Sequence, residues 1–172
     1  MDGTSPAPTV VRTCGTPGDT CTACCKTHYV NQPLGKGSDT TLAGKWCSYC
    51  TIGTGCTDYN GRVAACVDYF CLYLLGEDDM RPDRSGIVAD WYPSDDETVR
   101  VIRLMEYRPG AFREPVFDRY LELGKRLNCF VLTIVPKPFG GGRKEYFPPT
   151  PGALVPEVIL KLFAEQPDTY LD

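Results

Sequence analysis

Apolar and polar positions along the chain fall into two regimes that meet near residue 91. Beyond that point the apolar residues recur with regular periods. GIVADWY (86–92) is a short apolar run with the composition of a strand. In VRVIRLMEY (99–107), Val99, Val101, Arg103 and Met105 alternate with Arg100, Ile102, Leu104 and Glu106, which predicts a strand partly buried on both faces. EPVFDRYLELGKRL (114–127) places Val116, Phe117, Tyr120, Leu121, Leu123 and Leu127 on one broad helical stripe. Pro115 suits the first turn of that helix. CFVLTIV (129–135) reads as a continuous apolar strand. KPFGGGRKEYF (137–147) reads as a loop entering a last short strand, and PEVILKLFAEQ (156–166) as a closing helix. The order β-β-α-β-β-α predicts a small sheet, mainly antiparallel, covered by helices and holding the hydrophobic core.

The front of the chain lacks such periods. NQPLGKGSDTTLAGK (31–45) is dominated by Gly and small polar residues and reads as loop. RVAACVDYFCLYLL (62–75) is the exception, with apolar residues at helical spacing, and predicts a short helix carrying Cys66 and Cys71. Between Ile87 and the helix lie Pro93, Ser94, Asp95 and Asp96, a turn in the making. The expected fold class is therefore α+β: a loop-rich module over residues 1–91 packed on a small α+β region over residues 92–172.

Length and charge narrow the field. At 172 residues the chain is large enough to bury a core without crosslinks. Its formal charge is -4. Residues 1–91 hold seven Lys and Arg against ten Asp and Glu, so the front is the more acidic part. A nucleic-acid binder would need a basic face for phosphate, which argues against that class of partner. The start, MDGTSPAPTVVRT, has neither a basic leader nor an apolar core, and VAACVDYFCLYLL is too short to span a bilayer and contains Asp68. The expectation is a cytoplasmic protein with no membrane partner. In that reducing setting its ten cysteines would not be stored as disulfides.

The cysteines are what the loops have in common. TCTACCKTHYV supplies Cys21, Cys24 and Cys25, and WCSYCTIGTGC supplies Cys47, Cys50 and Cys56. With Cys66 and Cys71, and leaving out Cys14 and Cys129, eight remain. A CxxC turn lets two sulfurs converge on one cation while backbone N–H groups donate to the thiolates. Adjacent Cys24 and Cys25 cannot both point comfortably into one tetrahedral shell, which speaks for two metals or one multinuclear cluster. Eight thiolates would complete two four-sulfur zinc shells or ligate iron–sulfur centres, and spacing alone does not choose between zinc and iron. Lys26, Lys45, Arg62, Arg81 and Arg84 are candidates to offset the negative charge of such a site.

These motifs carry a resemblance. TACCKTHYVNQPLGKG, WCSYCTIGTGCTDYNGRVAACVDYFCLYL and RPDRSGIV together resemble a bacterial family of zinc- or iron-chelating cysteine-cluster proteins, named for a CxxCxxCC pattern. That family is similar to the metal-chelating part of flagellin lysine methylases. The likeness covers about residues 18–90. It matches Cys21, Cys24 and Cys25 to the opening motif, Cys47, Cys50 and Cys56 to the middle one, and Cys66 and Cys71 to the last. Gly18 stands where the pattern has its first cysteine, and Val63 and Val67 replace a proline and an arginine of the last motif. The resemblance implies metal chelation.

Other candidates have plainer readings. His28, the only histidine, is expected beside the cluster rather than in it. Arg81 and Arg84 are expected to neutralise thiolates while Asp83 caps or pairs locally, and Glu77, Asp78 and Asp79 to form a solvated turn. FGGGRK lacks the strand–loop–helix setting of a phosphate loop. Cys129 should be a small buried hydrophobe, and Trp46 and Trp91 should wall the site. The expected function is metal binding with a structural or interaction role, a protein partner being undefined. The alternatives are an iron–sulfur enzyme or maturation component, and a metal delivery or storage protein.

Overall fold

The computed structural model of the protein describes residues 12, 21–28, 30, 43–92, 99–136, 143–153, 155–157, 159 and 160. The turn at Pro93–Asp96, Cys14, most of the loop 31–45, the glycines of FGGGRK and the end of the closing helix lie outside these. Of that helix, Glu157, Ile159 and Leu160 are helical.

The periodic half folds as an α+β unit. Strands β3 (Ile87–Tyr92), β4 (Val101–Glu106), β5 (Phe130–Ile134) and β6 (Lys144–Phe147) form one sheet in the order β3-β4-β5-β6. The β3–β4 and β5–β6 pairs are antiparallel, and β4–β5 is parallel. A parallel neighbour needs a crossover, and helix α5 (Pro115–Arg126) supplies it. Pro115 opens α5, Asp118 lies in its first turn, and Lys125 and Arg126 in its last, all favourable toward the helix dipole. It stops at Asn128, which takes φ 50°. The Cys129 N–H then bonds the Gly124 carbonyl at 2.8 Å and the Asn128 N–H the Lys125 carbonyl at 3.1 Å, closing a Schellman motif.

Strand alternation sorts the core into two layers. Ile87, Ala89, Ile102, Leu104 and Val131 pack with Tyr120 and Leu123 of α5 on one face. Val88, Val101, Met105, Phe130, Leu132 and Ile134 form the other, and there Ala23, Cys71 and Leu74 of the front half cover them. The loop-rich module is thus the second cover of the sheet. The predicted boundary after residue 91 falls inside β3, a strand of that sheet.

The module itself is built from very short elements: α1 (Cys24–Thr27), β1 (Cys50–Thr51), β2 (Gly55–Cys56), α2 (Ala64–Val67), α3 (Leu72–Leu75) and α4 (Pro82–Ser85). The single helix expected over residues 62–75 is interrupted. α2 ends at Asp68, whose ψ of 1° leaves the helix, and Cys71 is extended at ψ 161°. Cys71 instead makes an isolated β-bridge to Asp90 at the edge of β3. That pairing, and the packing of Tyr69 and Phe70 against the sheet-side core, outweigh the local helical preference. Asp78 also departs from the expected solvated turn: it is 8% exposed and accepts a bond from the Met80 N–H at 2.9 Å. Cys129 is fully buried, as expected, and Trp91 packs with the α5-side core, away from the cysteines.

Candidate metal centre

Backbone bonds bring the two CxxC stretches side by side. The Cys47 N–H donates to the Cys25 carbonyl at 2.9 Å, and the Gly44 N–H to the Lys26 carbonyl at 2.7 Å. The Cys50 N–H closes the second CxxC turn on the Cys47 carbonyl at 3.0 Å. β1 and β2 then form a minimal hairpin in which Cys50 lies directly opposite Cys56, a position that sets paired Cβ atoms roughly 5 Å apart. Gly53 and Gly55 make this turn affordable, at φ 72° and 127°. The Gly53 N–H is fastened to Thr22 Oγ1 at 3.2 Å, so the hairpin is tied to the first motif as well.

The result is one cavity of about 360 Å³ lined by Cys21, Cys24, Cys25, Cys47, Cys56, Cys66 and Cys71. Cys50, the eighth predicted ligand, is not part of this lining; it contacts the Cys25 thiol instead, and Cys25 also contacts Cys24. Interrupting the predicted helix is what lets both Cys66 and Cys71 face the cavity. A water molecule occupies about 30 Å³ in the liquid, so the space exceeds the needs of one closely held ion. The nine described cysteines are free thiols. Among the described residues, no three Cys, His, Asp or Glu side chains stand within reach of a common ion. The donors are soft thiols, the type that binds zinc or iron, but as they stand they form no shell.

Electrostatics match a cluster of protonated thiols. Hydrogen bonding with Cys24, and then burial, push the Cys25 thiol far up. Burial, with Cys25 next, raises Cys50 to about 12, and burial raises Cys71 to about 11. Burial also raises Cys21, Cys56 and Cys66. A metal binding here displaces those protons. Of the cations expected nearby, Arg81 acts on Cys21 and Arg62 on Cys56 and Cys66, each pulling the thiol the other way. Arg81 is itself paired with Asp83 at 2.5 Å. Lys26 donates to the Tyr107 carbonyl at 2.9 Å and lies over Trp46 and Tyr107, Lys45 is exposed, and Arg84 lines a separate groove.

Beside the thiols sits a polar network absent from the expectations. Asp90 is 2% exposed and receives both Arg103 Nε at 2.9 Å and Arg103 Nη2 at 2.7 Å. His28 Nε2 donates to Asp90 Oδ2 at 3.2 Å, and His28 Nδ1 meets Thr27 Oγ1 at 3.1 Å. Burial alone would raise the Asp90 carboxyl, but Arg103 and His28 outweigh it and hold it below the ordinary range. Both imidazole nitrogens are engaged, so His28 stands at the cavity wall without a lone pair turned to a metal. Asp90 and Arg103 were discernible as charges at matching positions of two apolar strands, Cα partners across β3 and β4.

Comparison with known proteins finds no matching family model, curated protein or solved structure. No helix among the described residues is long and apolar enough to cross a membrane.

Proposed function

We propose that the chain is a metal-binding protein in which the front-half cysteines hold zinc or iron, the latter as ions or as an iron–sulfur cluster, in a structural or interaction role. The observation that carries this reading is the convergence of seven thiols, from three separate stretches of a loop-rich module, on one cavity against the sheet. Cys21, Cys24, Cys25, Cys47, Cys50, Cys56, Cys66 and Cys71 are the ligand set, and the size of the cavity favours more than one ion. Bound metal would supply the folding energy that these short elements cannot supply by themselves. A cytoplasmic, reducing setting would keep the thiols available. A second reading, metal delivery, draws on the partial exposure of every one of these thiols except Cys71.

Elemental analysis of the native chain tests both. Colourless protein with about two zinc ions per chain supports closed zinc shells, and brown protein with acid-labile sulfide supports an iron–sulfur centre. Rapid transfer of metal to a weak chelator, with the fold intact, selects delivery. Cys25→Ser is expected to lower the metal content, whereas Cys129→Ser, whose side chain bonds the Leu127 carbonyl at 3.1 Å on the far face of the sheet, keeps it. Native chain free of metal, or equal metal in the two variants, refutes the reading.

A further inference from the structure

The Tyr69 side chain lines the cysteine cavity, and its hydroxyl is fully buried yet has no hydrogen-bond partner among the described residues. A buried tyrosine hydroxyl ordinarily has one, because leaving it unmet forfeits its solvation. The ring is not free to seek a partner elsewhere. It packs against the His28 ring with centroids 4.0 Å apart. His28 in turn is held by Thr27 and Asp90, and Asp90 by Arg103. The hydroxyl is therefore a donor held in place, beside groups already bonded to each other. Cys24 and Cys71, the latter two residues on in the chain, line the same cavity as Tyr69.

We infer that Tyr69 is a positioning residue for the metal centre: its O–H donates a hydrogen bond to an anionic sulfur in the cavity, a thiolate of Cys24 or Cys71 once a metal is bound, or a cluster sulfide. This rests on the metal-binding reading above. A neutral thiol is a poor acceptor, and a thiolate or sulfide is a good one, so the bond forms only in the loaded protein. Hydrogen bonds to ligand sulfurs tune a centre's electronic properties and retain its metal, as outer contacts of metal sites generally do.

The inference makes the effect of Tyr69→Phe depend on loading. Without metal, the variant loses only an unpartnered hydroxyl, so its urea midpoint is expected to equal or exceed that of the parent chain. Loaded with Co(II), it is expected to take up the same number of ions but to show shifted thiolate-to-cobalt charge-transfer bands. It is also expected to surrender Co(II) to a chelator about tenfold faster, the scale of one lost hydrogen bond to a charged acceptor. A purely structural Tyr69 would weaken both forms alike and leave the bands in place. Identical bands and release rates in variant and parent overturn the inference while the metal-binding reading stands. A parent chain that binds no Co(II) or Zn(II) overturns both. Should the variant not fold, NMR of the Cd(II)-loaded parent decides: a scalar coupling between a tyrosine hydroxyl proton and the bound cadmium is expected, and no such coupling refutes it.

Discussion

Asp90→Ala is the sharpest test of how the cysteine module is joined to the sheet. The carboxylate is 2% exposed and has two bonds from one guanidinium and one from His28. Its removal takes both of these bonds from Arg103, whose side chain is 18% exposed, and leaves a gap beside the guanidinium. Breaking one partner of a buried pair costs about 3–5 kcal/mol. The partial exposure of Arg103 lets water reach it, which favours the lower end, about 3 kcal/mol. Set against a typical stability of about 5–15 kcal/mol, that is a large fraction. With a urea slope of about 2 kcal/mol/M, the midpoint should fall by about 1.5 M.

The companion variant separates an unpaired charge from a lost contact. Replacing both Asp90 and Arg103 by Leu removes the pair together with its desolvation, and should recover most of the loss. Equilibrium urea unfolding followed by circular dichroism measures both. A midpoint for Asp90→Ala within 0.3 M of the parent (on the order of 0.6 kcal/mol at that slope), or a double variant no better than the single one, refutes the argument that the network is a buried, mutually dependent unit.

Two further outcomes bear on the fold. Gly124 lies where α5 meets β5, and a Cβ there would fall 2.4 Å from Val131 Cγ2. Val131 is 2% exposed and stiff at χ1. Gly124→Ala should therefore lose up to about 2 kcal/mol net, overpacking of about 1–3 kcal/mol set against a helix gain of about 1 kcal/mol; a thermal melt showing higher stability contradicts this. Burial raises the Asp78 carboxyl, so the folded chain binds that proton more tightly than the unfolded one and stability falls as pH rises through the carboxylate range. Asp78→Asn, which retains an acceptor for the Met80 N–H, should raise the urea midpoint at pH 7 and lose that advantage well below pH 4. A lower midpoint at pH 7 refutes it.

The legible part of the fold is the part governed by period. Alternation in VRVIRLMEY and the stripe in EPVFDRYLELGKRL report directly which side chains meet the core, and β4 and α5 lie within those spans. The parallel pairing of β4 with β5 was not legible, because a strand's pattern records its faces and not its neighbours. In the module, periodicity misled at residues 62–75. The local pattern favours a helix, and what ends it is the bridge from Cys71 to Asp90, a contact 19 residues away in the chain. Spacing grouped eight cysteines, and seven of them line one cavity; that Cys50 stands outside it depends on the loop backbone, which no spacing reports. Asp90 and Arg103 carried a visible sign, each a charge within an apolar strand. His28 was placed beside the cysteines by its spacing from Cys25, but its bond to Asp90 comes from the fold.

The two faces of the sheet explain why a module of four-residue helices and two-residue strands holds a shape at all. On one face α5 supplies a long apolar stripe, and hydrophobic burial is enough. On the other, the cover contributes Ala23, Cys71 and Leu74 to the buried core, a small apolar area for so many ordered loops. Ordering those loops costs backbone entropy at every residue, and directional contacts must offset what burial does not. The Asp90–Arg103–His28 network is one such contact, fixing the end of α1 to β3 and β4. The backbone bonds between the CxxC stretches are another, and the thiols of the cavity would be the third once drawn together by a cation. On this view the polar network fixes where the module docks, and a bound metal would fix the loops within it. The two act on neighbouring atoms through Tyr69 and Cys71, which is why a metal centre in this chain is expected to draw its stability from the sheet beneath it.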